Sequence, residues 1–177
     1  MGAARAETPA REPAPKPARA RPDVAPFPLP SGVPDTELRH TFTVTATPAA
    51  VSAHLAEPAS YVGLSPLVVE VRDVSREDGT ARYTAVERLR FLGFLRHDNP
   101  IVVTLRLNGT EAVYGDVVSP GGVRISYRFD LEPDGGGTRV TDTLRLRAPF
   151  GLLRFAASRA RAVQLARSGI LTGRLES

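Results

Sequence analysis

The chain contains no cysteine and no tryptophan. Without cysteine there is no disulfide framework, no thiolate nucleophile and no cysteine-ligated metal. A reducing compartment, the cytoplasm, is the expectation. Aromatic residues make up only 6% of the sequence, and the aromatic interleaving expected of a nucleic-acid-binding sheet is missing, so no nucleic-acid partner is expected. No apolar run approaches the ~18–20 residues a bilayer-spanning helix requires. Arg5 and Arg11 are followed by no apolar stretch, unlike a secretory leader. His40, His54 and His97 have no metal-site spacing and read as surface or capping residues. Gly135–Gly137 form a hairpin turn, not a phosphate loop, and no Ser-His-Asp arrangement stands out. Neither a metal nor an organic cofactor is expected.

What is present suffices for one domain: 177 residues, 42% of them hydrophobic. Net charge is +4, unevenly distributed. Residues 1–36 carry five Lys/Arg against four Asp/Glu, whereas the segment from Ala148 carries five Arg against one Glu. A solvated helix face accounts for this excess; so would a surface for an acidic partner or anionic lipid. Residues 1–36 are rich in Ala, Pro and Arg. Dense prolines favour extended backbone, and little apolar surface offsets the ordering entropy. A disordered arm is expected, with Phe27 and its flanking prolines as an anchor and a protein partner as one possible use.

The folded domain is expected over residues 37–177. Leu38–Ala46 alternates as a strand, with Phe42, Val44 and Ala46 on one face. Thr47 and Pro48 then supply an N-cap and a first helical position, and a second short helical turn covers Ala59–Val62. Alternating segments follow at Leu67–Ser75, Thr80–Phe91, Asn99–Leu107, Glu111–Val118, Val123–Leu131 and Thr138–Arg147. They are punctuated by the turn signals Asp78-Gly79, Asn108-Gly109, Pro120-Gly121-Gly122 and Gly135–Gly137. Successive hairpins of this kind make an antiparallel meander, wet on one face and dry on the other. A long helix starts near Pro149. At 100° per residue, Leu152, Phe155, Ala156, Val163, Ala166 and Ile170 fall on one side, facing the hollow of the sheet.

The sequence resembles the helix-grip superfamily of START domains, birch-pollen-allergen-like (Bet v 1-like) proteins and bacterial polyketide cyclase/dehydrase proteins, also called SRPBCC. Three stretches carry the likeness: the opening strand with its Thr47-Pro48-Ala49-Ala50-Val51 helix start, Gly136–Leu144, and Ala148–Leu153 leading into the last helix. The resemblance implies an α+β fold in which a curved antiparallel sheet of about six to seven strands wraps a long C-terminal helix, with one or two short helices after the first strand. It also implies an internal cavity for a lipid- or polyketide-like molecule; only some members are enzymes. The absence of Trp departs from many relatives and leaves the ligand open.

Three charges interrupt the dry faces: Glu87, on the same face as Tyr83 and Phe91; Asp142; and Arg159, within the helical stripe. Buried charges must pair or change protonation state. Arg159 either forms a structural ion pair with Asp142 or Glu87, or the three groups anchor a ligand or supply an acid and a base; a one-residue slip in register would return them to water. Tyr83 and Tyr127 are packing groups or polarise a ligand carbonyl. The candidate cavity residues are Tyr83, Glu87, Phe91, Tyr127, Phe129, Asp142, Phe155, Arg159 and Val163, with catalytic residues undetermined. Three functions remain open: binding of a small hydrophobic molecule, an aromatase/cyclase acting on a poly-ketone, and a filled-core module docking through its basic helix and arm.

Overall fold

The computed structural model describes residues 34–91 and 95–176. The expected arm, including the Phe27 patch, lies outside them except for its last three residues. Asp35 and Thr36 open β1 (Asp35–Val44), two residues ahead of the expected domain start. Then come α1 (Pro48–Ala56), a 3-10 turn (Pro58–Ser60), and α2 (Tyr61–Leu64). The strands β2 (Val68–Glu77), β3 (Thr80–Phe91), β4 (Leu95–Asn108), β5 (Ala112–Val118), β6 (Arg124–Asp134) and β7 (Gly137–Arg147) follow, and α3 (Leu153–Leu175) ends the fold. One antiparallel sheet holds all seven strands in the order β1-β7-β6-β5-β4-β3-β2. This is the anticipated α+β helix-grip arrangement.

The β2–β3 and β4–β5 hairpins form where turn chemistry and alternation demand them. Asp78 and Gly79 take φ of 47° and 72° between β2 and β3, and Gly109 takes 55° after Asn108. On β6, Tyr127, Phe129 and Leu131 are buried while Arg124 is exposed; on β7, Val140, Asp142, Leu144 and Leu146 are all buried. Period-two alternation thus sets the inner face across the sheet. Thr47 caps α1, its Oγ1 accepting from the Ala50 amide at 3.3 Å, with Pro48 at the first helical position.

Two expectations change. β4 begins at Leu95, ahead of the expected Asn99, so His97 lies in a strand, opposite Leu89. The long helix begins at Leu153 because Gly151, at φ 87°, holds a left-handed turn that Pro149 and Phe150 lead into.

The two ends of the sheet differ. At one end α1 packs on β4–β7, burying Val51 and Leu55, and Thr138 Oγ1 donates to the Ala46 carbonyl at 2.7 Å. At the other end lie the β5–β6 turn and the loop into α3, in contact because a Cβ on Gly122 would meet Pro149 Cγ at 3.3 Å.

α3 runs along β1 and β7, rotated from its expected orientation. The residues it buries are Ala160, Gln164, Arg167 and Leu171. Ala166 is exposed, and Phe155 is 58% exposed. Arg167, not Arg159, is the buried cation. Its Nη2 lies 2.5 Å from Asp142 Oδ2, and the two residues are 5% and 1% exposed. The guanidinium also sits 4.7 Å from the centre of the Phe129 ring, and Gln164 Nε2 donates to the Asp142 carbonyl at 3.0 Å. The stripe is misread because two of its members are polar. Arg174, in the last turn, donates to the carbonyls of Ser60 and Val62, at 2.7 and 2.9 Å, clamping α2.

Breaking a buried ion pair by removing one partner leaves a charge without compensation and costs about 3–5 kcal/mol, whereas an apolar pair of similar volume is close to neutral. Arg167→Leu should therefore lose most of that amount in urea unfolding, and the double variant Arg167→Met/Asp142→Leu should recover most of it. A double variant no more stable than the single one would show that the cost lies in packing and not in the orphaned carboxylate.

Candidate functional site

A cavity of about 230 Å³ lies between the sheet and the first half of α3. Alternation on β3 aims Tyr83, Ala85, Glu87 and Leu89 into it; β4 contributes Asn99, Ile101 and Val103, and β6 contributes Ile125 and Tyr127. The helix side is made largely of small residues: Ala156, Ala160 and Val163, with Phe155 and Arg159 where the cavity opens. The space exists because α3 presents alanines to a sheet curved away from it.

The polar groups fall into two sets. Toward the open end, Asn99 Nδ2 donates at 3.2 Å to both Glu87 Oε2 and Ser119 Oγ. Burial pushes the Glu87 carboxyl above its ordinary range, and the Asn99 hydrogen bond offsets part of that rise. Deeper in, three tyrosines cluster: the Tyr61 ring centre lies 6.3 Å from that of Tyr83 and 6.2 Å from that of Tyr127. Tyr61 donates to the Leu55 carbonyl at 3.1 Å, and Tyr127 donates to the Tyr61 hydroxyl at 3.4 Å. Burial raises the Tyr61 hydroxyl to about 12 despite the hydrogen bond from Tyr127 and the nearby Arg167. Burial, and then the neighbouring phenols, also raise Tyr83 and Tyr127. These phenols remain protonated near neutral pH. They can donate hydrogen bonds, but they are poor bases.

Of the residues anticipated from sequence, Tyr83, Glu87, Tyr127, Phe155, Arg159 and Val163 border the cavity. Phe129 and Asp142 do not. Phe129 is fully buried beneath the Arg167 guanidinium, and Asp142 is occupied by the ion pair. Arg159 pairs with neither carboxylate; it lies over the Phe155 ring at 5.6 Å, at the entrance. The Phe91 side chain lies outside the described residues. Sequence reasoning missed Tyr61, Asn99, Ser119 and Arg167. Asn99 was within reach, since it shares parity with Ile101 and Val103, and Arg167 sits four residues from both Val163 and Leu171. Tyr61 and Ser119 lie next to turns, where periodicity carries no signal. Among the described residues no His/Cys/Asp/Glu cluster could hold a metal ion.

Gly115 on β5 stands opposite Tyr127, and a Cβ there would fall 1.9 Å from the Tyr127 Cζ and 2.3 Å from its hydroxyl oxygen. Gly115→Ala should therefore push Tyr127 from its place and cost about 1–3 kcal/mol of stability, the usual range for overpacking. Unchanged stability in urea would mean that the ring position is not fixed by the missing side chain.

Glu87 sets a pH dependence of known sign. The folded chain holds its proton above the ordinary 4.5, so the unfolded chain ionises first as pH rises. The Glu87 contribution to stability is complete below 4.5, falls as pH climbs through the raised folded value, and then levels off. Glu87→Gln cannot ionise. Its stability relative to wild type should be more favourable at pH 8 than at pH 4. An equal difference in urea unfolding at both pH values would mean that the carboxyl is not held protonated.

The comparisons with known proteins agree with this geometry. The model of the family described as "Polyketide cyclase / dehydrase and lipid transport" matches residues 35–175. The structure is similar to the Zhui aromatase/cyclase from Streptomyces sp. R1128, with a TM-score of 0.68 and 16% identity over 80% of this chain and 94% of that one. It is also similar to a START superfamily protein from Mycobacterium smegmatis, with a TM-score of 0.64 and 13% identity over 79% and 97% of the two chains. For Ara h 8.0201 the values are 0.56 and 10% over 78% and 98%. At these identities the likeness is one of fold. No curated protein matches the sequence. No described helix is long and apolar enough to cross a membrane. The family match supports a hydrophobic-ligand-binding or polyketide-cyclase role without separating the two, and it places this chain in the polyketide cyclase/dehydrase and lipid transport family.

Proposed function

We propose that the cavity binds a small, mainly apolar molecule whose single polar end meets Glu87, Asn99 and Ser119. The observation that carries this reading is a cavity with apolar walls and one convergent polar set whose carboxyl favours its neutral form. A neutral carboxyl can donate to a ligand hydroxyl or carbonyl, and Asn99 holds its orientation. The tyrosine hydroxyls deeper in are largely satisfied by one another and by Leu55, so they shape the cavity more than they seek a partner. A volume of about 230 Å³ lies below the ~300–1,000 Å³ typical of pockets for drug-sized ligands. It suits one or two rings, or a short chain, better than an extended poly-ketone.

A second reading, an aromatase/cyclase, has its own support in the fold likeness to the Zhui aromatase/cyclase and in Glu87. Once ionised, a carboxylate with a raised pKa is a stronger base that can take a proton from a carbon next to a carbonyl and, as the acid so formed, return it, and a protonated phenol can stabilise the enolate in between. In this second reading Arg159, at the entrance, can meet an acidic group on the molecule that enters.

Titration with the neutral fluorescent probe N-phenyl-1-naphthylamine tests the first reading. Wild type should bind it with a blue shift, and Ala156→Phe, which fills the cavity from the helix side, should weaken binding at least tenfold while leaving the fold intact by circular dichroism. No binding by wild type, together with an empty native mass spectrum, would rule out the cavity as a ligand site. Equal binding by Ala156→Phe would move the probe elsewhere on the protein.

A further inference from the structure

We infer that the open end of the domain docks on an anionic lipid surface through the segment that leads into α3, where Phe150 and Leu152 enter the bilayer interface and Arg154 and Arg159 meet the headgroups. This goes beyond the cavity-binding reading and does not depend on what the cavity holds.

The first observation is exposed apolar surface concentrated at one place. Phe150 is 95% exposed, Phe155 58% and Leu152 46%. Isolated exposed apolar residues are ordinary on protein surfaces, but two phenylalanines and a leucine within six residues are not. The backbone presents them: the Leu152 amide bonds the Pro149 carbonyl at 3.0 Å, and Gly151, at φ 87°, turns the chain so that Phe150 stands at its tip. Contact between Gly122 and Pro149 braces this turn against the β5–β6 hairpin.

The second observation is charge. From Thr143 to Leu175 the sequence contains seven arginines and not one Asp or Glu. Arg167 is neutralised by Asp142 and Arg145 by Glu37. Arg154 and Arg159 are exposed beside the apolar tip, and Arg124 is exposed at the start of β6, next to the same turn. Apolar side chains framed by arginines without intervening carboxylates fit a surface that is negative outside and apolar beneath, which is the chemistry of an anionic bilayer. An acidic protein would satisfy the arginines without calling for a fully exposed phenylalanine.

The third observation is continuity. Phe155 and Arg159 belong both to this face and to the cavity lining. A domain docked in this orientation opens its cavity toward the lipid.

Co-sedimentation of the full chain with vesicles tests the inference, using phosphatidylcholine alone and phosphatidylcholine with 30% phosphatidylglycerol. Binding is expected only with phosphatidylglycerol, and salt should weaken it. Phe150→Ser/Leu152→Ser should lower the partition coefficient about tenfold or more, since each large apolar side chain left in water forfeits a gain of that order. Arg154→Gln/Arg159→Gln should lower it roughly 25-fold, at about fivefold per charge. All four positions are exposed, and an unchanged melting temperature confirms that the variants fold. The inference fails if the full chain ignores phosphatidylglycerol vesicles. It also fails if Phe150→Ser/Leu152→Ser binds them like wild type and soluble polyglutamate displaces both, for then the face takes an acidic protein. If binding emerges only after deletion of residues 1–33, that segment is the occupant of the patch and the inference is again overturned.

Discussion

The rotation of α3 about its own axis decides whether this domain has a cavity, and the buried pair of Arg167 with Asp142 sets that rotation. The face of α3 that meets the sheet is built from Ala156, Ala160, Gln164, Arg167 and Leu171. Leu171 is its only large, fully buried apolar side chain. Apolar burial alone would let such a helix roll to bring Phe155 inward, because burying a phenylalanine is worth about 1.5–3 kcal/mol. A roll of that kind would pull the guanidinium off Asp142 and leave both charges buried and unpaired, which costs more. The Gln164 amide on the Asp142 carbonyl adds a directional restraint of the same sense. The electrostatic term therefore overrides the apolar one, and a strip of alanines faces the curved sheet where a bulkier face would have filled it.

That competition also explains how much could be read in advance. Strands follow from alternation, and β3 was legible to the residue, Thr80–Phe91, because turn signals and period-two burial agree there. Inward placement of Tyr83, Glu87 and Tyr127 follows from the same parity. The helix was legible as a helix but not in its rotation. Summing apolar residues around the axis finds Phe155 and Ala166 and passes over Gln164 and Arg167, whose positions are fixed by partners far away in sequence. Asp142 was legible as an inward carboxylate for the same reason of parity. Which arginine answers it depends on the axial offset between α3 and β7, and no local pattern encodes that. The late start of α3 was hidden for a simpler reason: Pro149 is a good first helical residue, and only the positive φ of Gly151 prevents it from being one.

The two polar sets in the cavity differ in what they leave available. The phenols of Tyr61 and Tyr127 are tied to each other and to the backbone, and burial holds them neutral, so the deep end is rigid and chemically quiet. Glu87 has one side-chain partner, Asn99, and is half-buried where Tyr61, Tyr83 and Tyr127 are buried. A carboxyl with one amide donor and no cation beside it in the cavity wall gains from a further polar contact whether it is protonated or ionised. The polar end of a ligand is therefore directed to the β3–β4 side of the mouth, and its apolar body toward the tyrosines.

The restraints on α3 are unequal along its length, and this bears on how anything enters. Among the described residues, the side-chain bonds that hold α3 begin at Arg161: Arg161 to the Arg39 carbonyl, Gln164 and Arg167 to Asp142, Ser168 with His40, and Arg174 to the carbonyls beside α2. The first two turns, from Leu153 to Arg159, border the cavity with Phe155, Ala156 and Arg159, and rest on part-buried apolar contacts. Local opening takes least free energy where buried contacts and polar ties are fewest. The half of the helix that covers the cavity is thus the half that can move away at least cost. The bond of Arg161 to the Arg39 carbonyl marks the point beyond which the helix stays in place, and the ion pair that fixes its rotation lies within that tethered part.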